Sequence, residues 1–354
     1  MNRQIYMDIA AKGARIPVGT DLVLRRHPDP EAIVLNGRRL AEVCMEAADT
    51  YHTSLAFPVM DLMLEKAALL SLLGITEDAR TFHFQAGSDA GLVARLQSHL
   101  ARPLPPRMQA HVDAIQVIAQ QGAARYIPMG MSIGPVSLMT RLLADPITPL
   151  FMAGSGTTAM DDEDVRMLDV VNELALLMVT RYAQAQIDAG AAAVFIAEPA
   201  ANLAYFSPRQ IESGSDVWQR YVMNGNRHIA DLLAQRGADL IFHCCGELTD
   251  AMVKSFGSLN PAVLSLGSSR KLWEDAALVP ADTVLYGNLP TKLFYSDDAM
   301  PAEKVADLTC ELQQQMRSVH HPFILGSECD VLSVPGSEAT IQRKIAVMLH
   351  CSCT

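Results

Sequence analysis

No apolar run in this chain of 354 residues approaches the roughly 20 residues needed to span a bilayer. The longest apolar stretches, such as residues 191–196, are bounded by glycine or charge. The first residues lead to Asp8 rather than to an apolar segment with a small-residue cleavage site. These absences predict no membrane partner and no secretory signal, and we expect a cytoplasmic location.

A basic face is also missing. The net charge is -11 and the Lys and Arg residues are scattered, which argues against a nucleic-acid partner because a phosphate backbone needs clustered positive charge. No low-complexity segment, charge block or repeat divides the sequence. We therefore predict one domain over residues 1–354, and the sequence carries no signal of its oligomeric state.

The chain does contain repeated βα units. Short apolar or β-branched runs alternate with longer stretches of helical spacing, which is typical of a parallel sheet with crossover helices. The candidate strands are residues 16–24, 54–59, 126–133, 193–197, 239–243, 262–266, 283–286 and 323–325. The clearest helices are predicted at residues 162–189, 215–236 and 301–319.

Eight such strands predict an α/β fold of the single (β/α)8 TIM-barrel type. An N-terminal extension precedes the first strand. Residues 74–106 form an excursion after the second strand, with a small hairpin expected around residues 81–85. Residues 350–354 contain His350, Cys351 and Cys353, and we expect them to form a mobile tail because chain termini are usually poorly ordered.

Seven cysteines in a large chain favour thiol or metal chemistry over a disulfide framework. His243 and Cys245 lie two residues apart at the end of the fifth strand, so they face the same side, while Cys244 faces the other. A histidine and a cysteine converging in this way provide two ligands of a tetrahedral zinc site. Taken alone the pair is a weak signal, because short strands often bury a cysteine as a small hydrophobe. Cys44 and Cys310 fall in helical stretches and are interpreted as core thiols.

Cys329 strengthens the metal prediction. It follows the eighth strand at the rim where barrel enzymes place their active sites, and Glu198 follows the fourth strand at the same rim. Glu198 is a candidate fourth ligand or a catalytic carboxylate beside the metal. Two thiolates and a neutral imidazole balance the charge of Zn²⁺ and leave a position open for a substrate sulfur. That ligand set favours alkyl transfer to a thiol.

The sequence resembles the uroporphyrinogen decarboxylase superfamily, with His-x-Cys-Gly after one strand and Gly-x-x-Cys after the last. More narrowly, it looks like the zinc-containing methylcobamide:thiol methyltransferases of that superfamily. Further supporting segments are Asp61 and residues 134–138, 188–191, 198–201 and 286–288. The ligand set His243, Cys245 and Cys329 is the element that distinguishes this branch.

The resemblance implies a zinc ion that activates a thiol such as coenzyme M, and a methyl group supplied by a methylcorrinoid. The chain lacks the Asp-x-His-x-x-Gly motif that anchors a corrinoid, so the resemblance implies a separate corrinoid protein as partner. Asp61 and Asn288 are candidate substrate-binding residues at the rim. Arg270, or its neighbour Lys271, is the candidate cation for a sulfonate group.

Other functions share parts of this pattern. A zinc-dependent alkyltransferase that opens an epoxide with coenzyme M would use the same metal chemistry. A uroporphyrinogen decarboxylase-like enzyme would not need the two cysteines, and residues 15–20 depart from the Arg-rich segment of the true decarboxylases. A non-catalytic barrel that binds zinc or a corrinoid is a further alternative, and tetrahydrofolate as acceptor would remove the need for a soft metal site.

Overall fold

The computed structural model describes residues 3–88 and 90–353 of the chain. Eight parallel strands form one sheet, in which neighbours follow the order β1-β8-β7-β6-β5-β4-β3-β2. The strands are β1 (Arg15–Ile16), β2 (Leu55–Ala56), β3 (Ile127–Ile133), β4 (Ala193–Ala197), β5 (Asp239–Cys244), β6 (Val263–Leu266), β7 (Val284–Leu289) and β8 (Phe323–Ser327). This order, with helices in the connections, confirms the predicted (β/α)8-barrel fold class.

Helices connect the strands. The α-helices are α1 (Arg3–Ala11), α2 (Thr20–Leu24), α3 (Pro30–Ile33), α4 (Gly37–Thr50), α5 (Leu64–Leu72), α6 (Leu92–His99), α7 (Pro106–Val117), α8 (Pro135–Leu142), α9 (Ile147–Gly154), α10 (Glu163–Asp188), α11 (Pro208–Glu212), α12 (Asn224–Gln235), α13 (Asp250–Gly257), α14 (Leu272–Asp275), α15 (Ala302–Val319) and α16 (Glu338–His350). Short π-helical or 3-10 segments lie at Ile118–Gly122, Gln219–Met223 and Thr291–Leu293. None of the helices described is long and apolar enough to cross a membrane.

Helix α10 shows how the sequence sets an element's limits. The Asp162 carboxylate accepts hydrogen bonds from the backbone N–H groups of Asp164 and Val165, which caps the first turn. The helix ends just before Gly190, whose φ of +100° a residue with a side chain rarely adopts. The predicted helix over residues 162–189 is therefore confirmed within a residue at each end.

The first two strands are much shorter than predicted. The predicted strand at residues 16–24 keeps only Ile16, and residues 20–24 form helix α2. Pro17 lacks a backbone N–H, so it cannot continue a hydrogen-bonded ladder. The chain segments after β1 and β2 instead meet through the Thr20 hydroxyl, which donates to the Phe57 carbonyl at 2.8 Å.

Side chains alternate between two layers of the core. Phe195, Ile241 and Ile324 belong to the cluster inside the barrel. Ile196 and Phe242, one residue further along their strands, belong to the cluster between the sheet and the helices. This alternation decides which polar side chains at the strand ends point into the barrel mouth.

The N-terminal extension forms α1, which packs against β7 and β8. Its Tyr6 is buried among the side chains inside the barrel. The Tyr6 hydroxyl is hydrogen-bonded to Asp239, the first residue of β5. Because Asp239 starts its strand, α1 covers the end of the barrel opposite the strand ends that hold the predicted metal ligands.

The prediction of a hairpin around residues 81–85 is wrong for the described part of this region. Phe84 makes an isolated parallel bridge to Leu143, and its backbone N–H donates to the Leu142 carbonyl at 2.9 Å. The excursion otherwise holds helix α6. Phe82 and Phe84 pack edge to face, with ring centroids 5.0 Å apart.

Candidate metal centre

Strand β5 ends at Cys244 and Cys245 follows it directly, and the alternation of side chains separates His243, Cys244 and Cys245. His243 faces the barrel interior, where the Phe195 ring lies 5.4 Å from its imidazole. Cys244 points the other way and is fully buried between the sheet and the helices. Burial raises the pKa of the Cys244 thiol, so this residue is a core cysteine and lies outside the metal cluster.

Cys329, which follows β8, meets the β5 residues across the barrel mouth. One ligand atom from each of His243, Cys245 and Cys329 lies within 4.8 Å of the other two. Tetrahedral zinc with these ligands has atom pairs separated by about 3.5–3.8 Å, so small side-chain adjustments close the set. The three residues that the sequence singled out are thus brought together by two chain segments, the ends of β5 and β8.

The His243 imidazole has one nitrogen engaged and one available. Its Nδ1 lies 2.8 Å from the Ser265 hydroxyl oxygen on the neighbouring strand β6. Its Nε2 is buried and has no hydrogen-bond partner among the described residues. A buried polar atom without a partner is costly, and a metal ion would satisfy it. The residues present therefore fit a tetrahedral soft metal ion with an open fourth position.

Ser265 orients the imidazole, and we predict that its loss weakens zinc binding. Ser265→Ala removes the oxygen that holds Nδ1, so the ring is free to rotate or change tautomer. Hydrogen bonds of this kind typically contribute 10–100-fold to metal affinity, and we expect a loss of about that size. Competition with a chromophoric chelator measures the zinc Kd. An unchanged Kd would contradict the role given to Ser265. The control is Thr140→Ala, which removes another buried hydroxyl, one that donates to the Ser137 carbonyl within α8.

The side chains of Cys245 and Cys329 are hydrogen-bonded to each other. The Cys329 thiol donates to the Cys245 sulfur, which lowers the pKa of Cys245 and raises the pKa of Cys329. His243 and Lys292 further lower the pKa of Cys245, against the effect of burial. A thiolate is the form that binds metal, so the surroundings already favour one ligand in its binding state.

Lys292 and Glu328 complete the site, and the sequence analysis missed both. The Lys292 ammonium donates to the Cys245 sulfur and lies 4.0 Å from the Glu328 carboxylate. Burial lowers the pKa of Lys292, but the negative groups Cys245, Glu328 and Cys329 outweigh this and raise it overall. Its side chain is 50% exposed, so a charged group stands between the cluster and solvent.

Glu328 ties together the loops that hold the cluster. Its carboxylate accepts from the Ser268 hydroxyl at 2.6 Å and from the Lys292 backbone N–H at 3.3 Å. These bonds link the loop after β6, the loop after β7 and the residue before Cys329. The acidic neighbour of Cys329 therefore fixes the relative positions of the sulfur and the lysine.

Glu198 does not join the cluster in this structure. Its carboxylate is fully buried on the helix side of β4 and accepts from the backbone N–H groups of Val136 and Ser137 at 3.0 and 2.8 Å. The Asn226 amide donates to the same carboxylate at 2.8 Å. Glu198 thus caps the first turn of α8, where a negative group is favoured by the helix dipole. Burial raises its pKa, and these hydrogen bonds oppose that shift.

This placement predicts that Glu198→Ala affects stability and not metal content. The substitution leaves the backbone N–H groups of Val136 and Ser137 buried without an acceptor, at about 1–3 kcal/mol for each unsatisfied group, while the Asn226 amide keeps the Val222 carbonyl as an acceptor. We expect the free energy of unfolding to fall by at least about 2 kcal/mol, measured by urea denaturation, with Glu198→Gln less affected. Folded Glu198→Ala should keep its zinc. Zinc lost from a folded variant would instead support Glu198 as the fourth ligand.

The three predicted substrate-binding residues have other partners. The Asp61 carboxylate pairs with Arg107 at 2.9 Å, beside helices α5 and α7. The Asn288 amide donates to the carbonyls of Gly267 and Arg270 at 2.7 and 2.8 Å, which holds the loop after β6.

Arg270, the predicted sulfonate-binding cation, is fully engaged elsewhere. Its guanidinium pairs with Asp275 and Asp250 and donates to the Leu248 carbonyl. Lys271 is exposed and pairs with Glu274 at 3.0 Å. Lys292 is therefore the cation that the structure places at the cluster.

Comparisons with known proteins agree with this architecture. A sequence profile described as uroporphyrinogen decarboxylase (URO-D) matches residues 21–339. A search of curated proteins gave no match. Among solved structures, a methyltransferase from Methanosarcina mazei superposes with a TM-score of 0.66 and 15% sequence identity, covering 98% of this chain and 98% of that chain. At that identity the likeness shows a shared fold.

Proposed function

The chain belongs to the uroporphyrinogen decarboxylase family, and from that premise we propose that it is a zinc-dependent methyltransferase acting between a corrinoid and a thiol. The observation that carries the proposal is the buried, partnerless Nε2 of His243 beside the sulfurs of Cys245 and Cys329. A decarboxylation site has no need of two convergent thiols. The methyltransferase name of the Methanosarcina mazei structure agrees with the proposal at the level of fold.

Zinc bound at the cluster would lower the pKa of a coordinated substrate thiol and keep its sulfur ionised near neutral pH. The chain's own residues prepare the place for that sulfur. Ser265 holds the His243 ring, and Glu328 holds the loops that bring Cys329 and Lys292 together. Lys292 presents a half-exposed ammonium at the cluster, which favours a thiol with an anionic end.

The proposed transfer balances without an external oxidant. The thiol loses its proton to solvent, and the sulfur forms a bond to the methyl carbon. The cobalt–carbon bond of the methylcorrinoid breaks, and its electron pair stays on the cobalt. The reverse transfer, from a methyl thioether to the reduced corrinoid, uses the same positions.

We further propose that a separate corrinoid protein delivers the cofactor to the barrel mouth. The loops that follow β7 and β8 carry exposed apolar side chains next to Lys292 and Cys329: Leu293, Tyr295, Leu332 and Val334. Tyr295 is 45% exposed and Leu332 is 55% exposed. Exposed apolar groups around a site favour an interaction surface, and a corrinoid ring with its carrier offers a broad apolar partner.

The test is methyl transfer from free methylcobalamin to 2-mercaptoethanesulfonate, catalysed by the reduced, zinc-loaded protein. We expect the cobalamin spectrum to change and the S-methyl product to appear by mass spectrometry, each only when thiol, zinc and protein are all present. Zinc-loaded protein that methylates no thiol from methylcobalamin or from a corrinoid protein would refute the proposal. Alkylation of the same thiol by an epoxide instead would move the assignment to the other electrophile.

A further inference from the structure

A second group of cysteines lies outside the barrel, between helices α15 and α16. Cys310 belongs to α15, and Cys351 and Cys353 follow the end of α16. Their sulfur atoms all lie within 4.8 Å of one another. Cys310 and Cys353 form a disulfide, and Cys351 is a free thiol. Cys310 is therefore not the isolated core thiol that the sequence analysis expected.

Arg15 holds the tail in place beside Cys310. Its guanidinium donates to the carbonyls of Met348 and Cys351 at 3.0 and 2.9 Å, where α16 ends. The Cys351 backbone N–H continues the helix with a bond to the Val347 carbonyl at 2.9 Å. Residues 351–353 therefore have defined contacts, in contrast to the mobile tail expected from the sequence.

The same guanidinium contacts the sulfurs. Arg15 Nη1 lies 3.3 Å from the Cys351 sulfur, and Nη2 lies 3.6 Å from the Cys353 sulfur. Its remaining side-chain partner is the Gln313 amide oxygen at 2.9 Å. Among the described residues, the partly buried Arg15 thus contacts carbonyls, an amide and sulfurs, and has no carboxylate partner. A cation placed in this way matches an anionic cluster better than a neutral disulfide.

We propose that the reduced Cys310, Cys351 and Cys353 bind one soft divalent cation of the Zn²⁺ class as three thiolates. Sulfur atoms bound to one tetrahedral zinc are about 3.8 Å apart, which the present spread accommodates. Three thiolates and one divalent ion carry one negative charge, and Arg15 supplies the matching positive charge. The fourth position is left for water or another small ligand.

The Cys310–Cys353 disulfide and the metal site are alternative states of this cluster. A disulfide oxidant such as oxidised glutathione takes two electrons from the Cys310 and Cys353 thiolates and, with two protons from solvent, is reduced to two thiols. The new sulfur–sulfur bond removes two of the three ligands, so the cation leaves to solvent. Metal binding at this site therefore requires reduced protein.

The test is the zinc content of reduced protein after anaerobic loading and desalting. We expect about two zinc ions per chain in the wild type and about one in Cys351→Ser and in Cys353→Ser. Cys245→Ser should also keep about one, because it affects only the barrel site. Ser352→Ala changes the same tail without removing a sulfur and should match the wild type.

The outcomes separate this site from the proposed catalytic metal. If the barrel binds no zinc, the zinc content of Cys351→Ser should still be lower than that of the wild type, while that of Cys245→Ser should equal it. Fully reduced Cys351→Ser and Cys353→Ser that keep the wild-type zinc content would overturn the tail site, and so would an equal loss from Ser352→Ala. In Cys245→Ser, oxidised glutathione should release the remaining zinc. Zinc retained after the disulfide has formed would overturn the proposal that the disulfide and the metal site are alternative states.

Discussion

Replacing Cys245 or Cys329 with serine should empty the barrel site of zinc and lower thiol methylation by at least about 100-fold. Loss of a hydrogen bond to a metal ligand already costs 10–100-fold in metal affinity or activity, and loss of a ligand atom costs more. The three ligand atoms lie within 4.8 Å of one another, and each variant leaves only His243 and one thiol to bind the metal. Zinc is measured by plasma mass spectrometry in the Cys351→Ser background, so that only the barrel site is counted.

Cys244→Ala is the matched control for this experiment. Cys244 lies between His243 and Cys245 in sequence but faces the helices and is fully buried. Its replacement removes a small apolar group and should lower stability slightly without changing zinc content or activity. Equal loss of zinc from Cys244→Ala and Cys245→Ser would show that the variants act through folding. Zinc retained in both Cys245→Ser and Cys329→Ser would exclude the cluster as a metal site.

The alternation of side chains along strands explains why His243 and Cys245 lie together at the barrel mouth while Glu198 lies apart from them. His243 and Cys245 are two residues apart, so their side chains point to the same face, and both reach the barrel mouth. His243 aligns with Ala197 on β4, so Ala197 is the neighbour of His243 on the inner face. Glu198 is one residue further and points to α8. The position of Glu198 at the rim suggested a ligand. Glu198 is three residues after the inward-facing Phe195, however, so the alternation along β4 already predicts that its side chain points outward.

Residues on loops were harder to predict than residues on strands. Lys292 lies in a short 3-10 turn after β7, and no periodic pattern indicates where its ammonium points. Arg270 follows β6 in a similar position, but two carboxylates on neighbouring turns engage it. Ion pairing of this kind depends on tertiary contacts that a single sequence does not specify. The docking of the tail onto Cys310 has the same origin, since Arg15 is more than three hundred residues away in sequence.

The first two strands show a different limit. Runs of apolar residues predicted their existence, and the structure confirms a strand in each. The predicted lengths of these two strands were wrong because proline cannot donate a ladder hydrogen bond. Pro17 follows β1 directly, and Pro58 follows β2 after one residue. Strands β3 to β8 have four to seven residues each and more backbone pairing, so their predicted positions agree more closely with the structure.

Replacing Lys292 with alanine should raise the KM for an anionic thiol about 10–100-fold and leave kcat nearly unchanged. A hydrogen bond to a charged group contributes about 1.5–3 kcal/mol, and each 1.4 kcal/mol is a factor of ten. The Lys292 ammonium is half-exposed at the cluster, so it can meet a sulfonate or carboxylate while the sulfur lies at the metal. The steady-state comparison uses 2-mercaptoethanesulfonate and the neutral 2-mercaptoethanol, whose KM should change little.

The design separates anion binding from an effect on the cluster itself. Lys292 also contacts the Cys245 sulfur, so zinc content is measured in the same preparations. Lys292→Arg keeps the charge and should retain most of the affinity for the anionic thiol. Lys271→Ala removes a neighbouring lysine that pairs with Glu274, and it should behave as wild type. Equal losses with the anionic and the neutral thiol would mean that Lys292 supports the metal ligands, because only recognition of the anionic end distinguishes the two substrates.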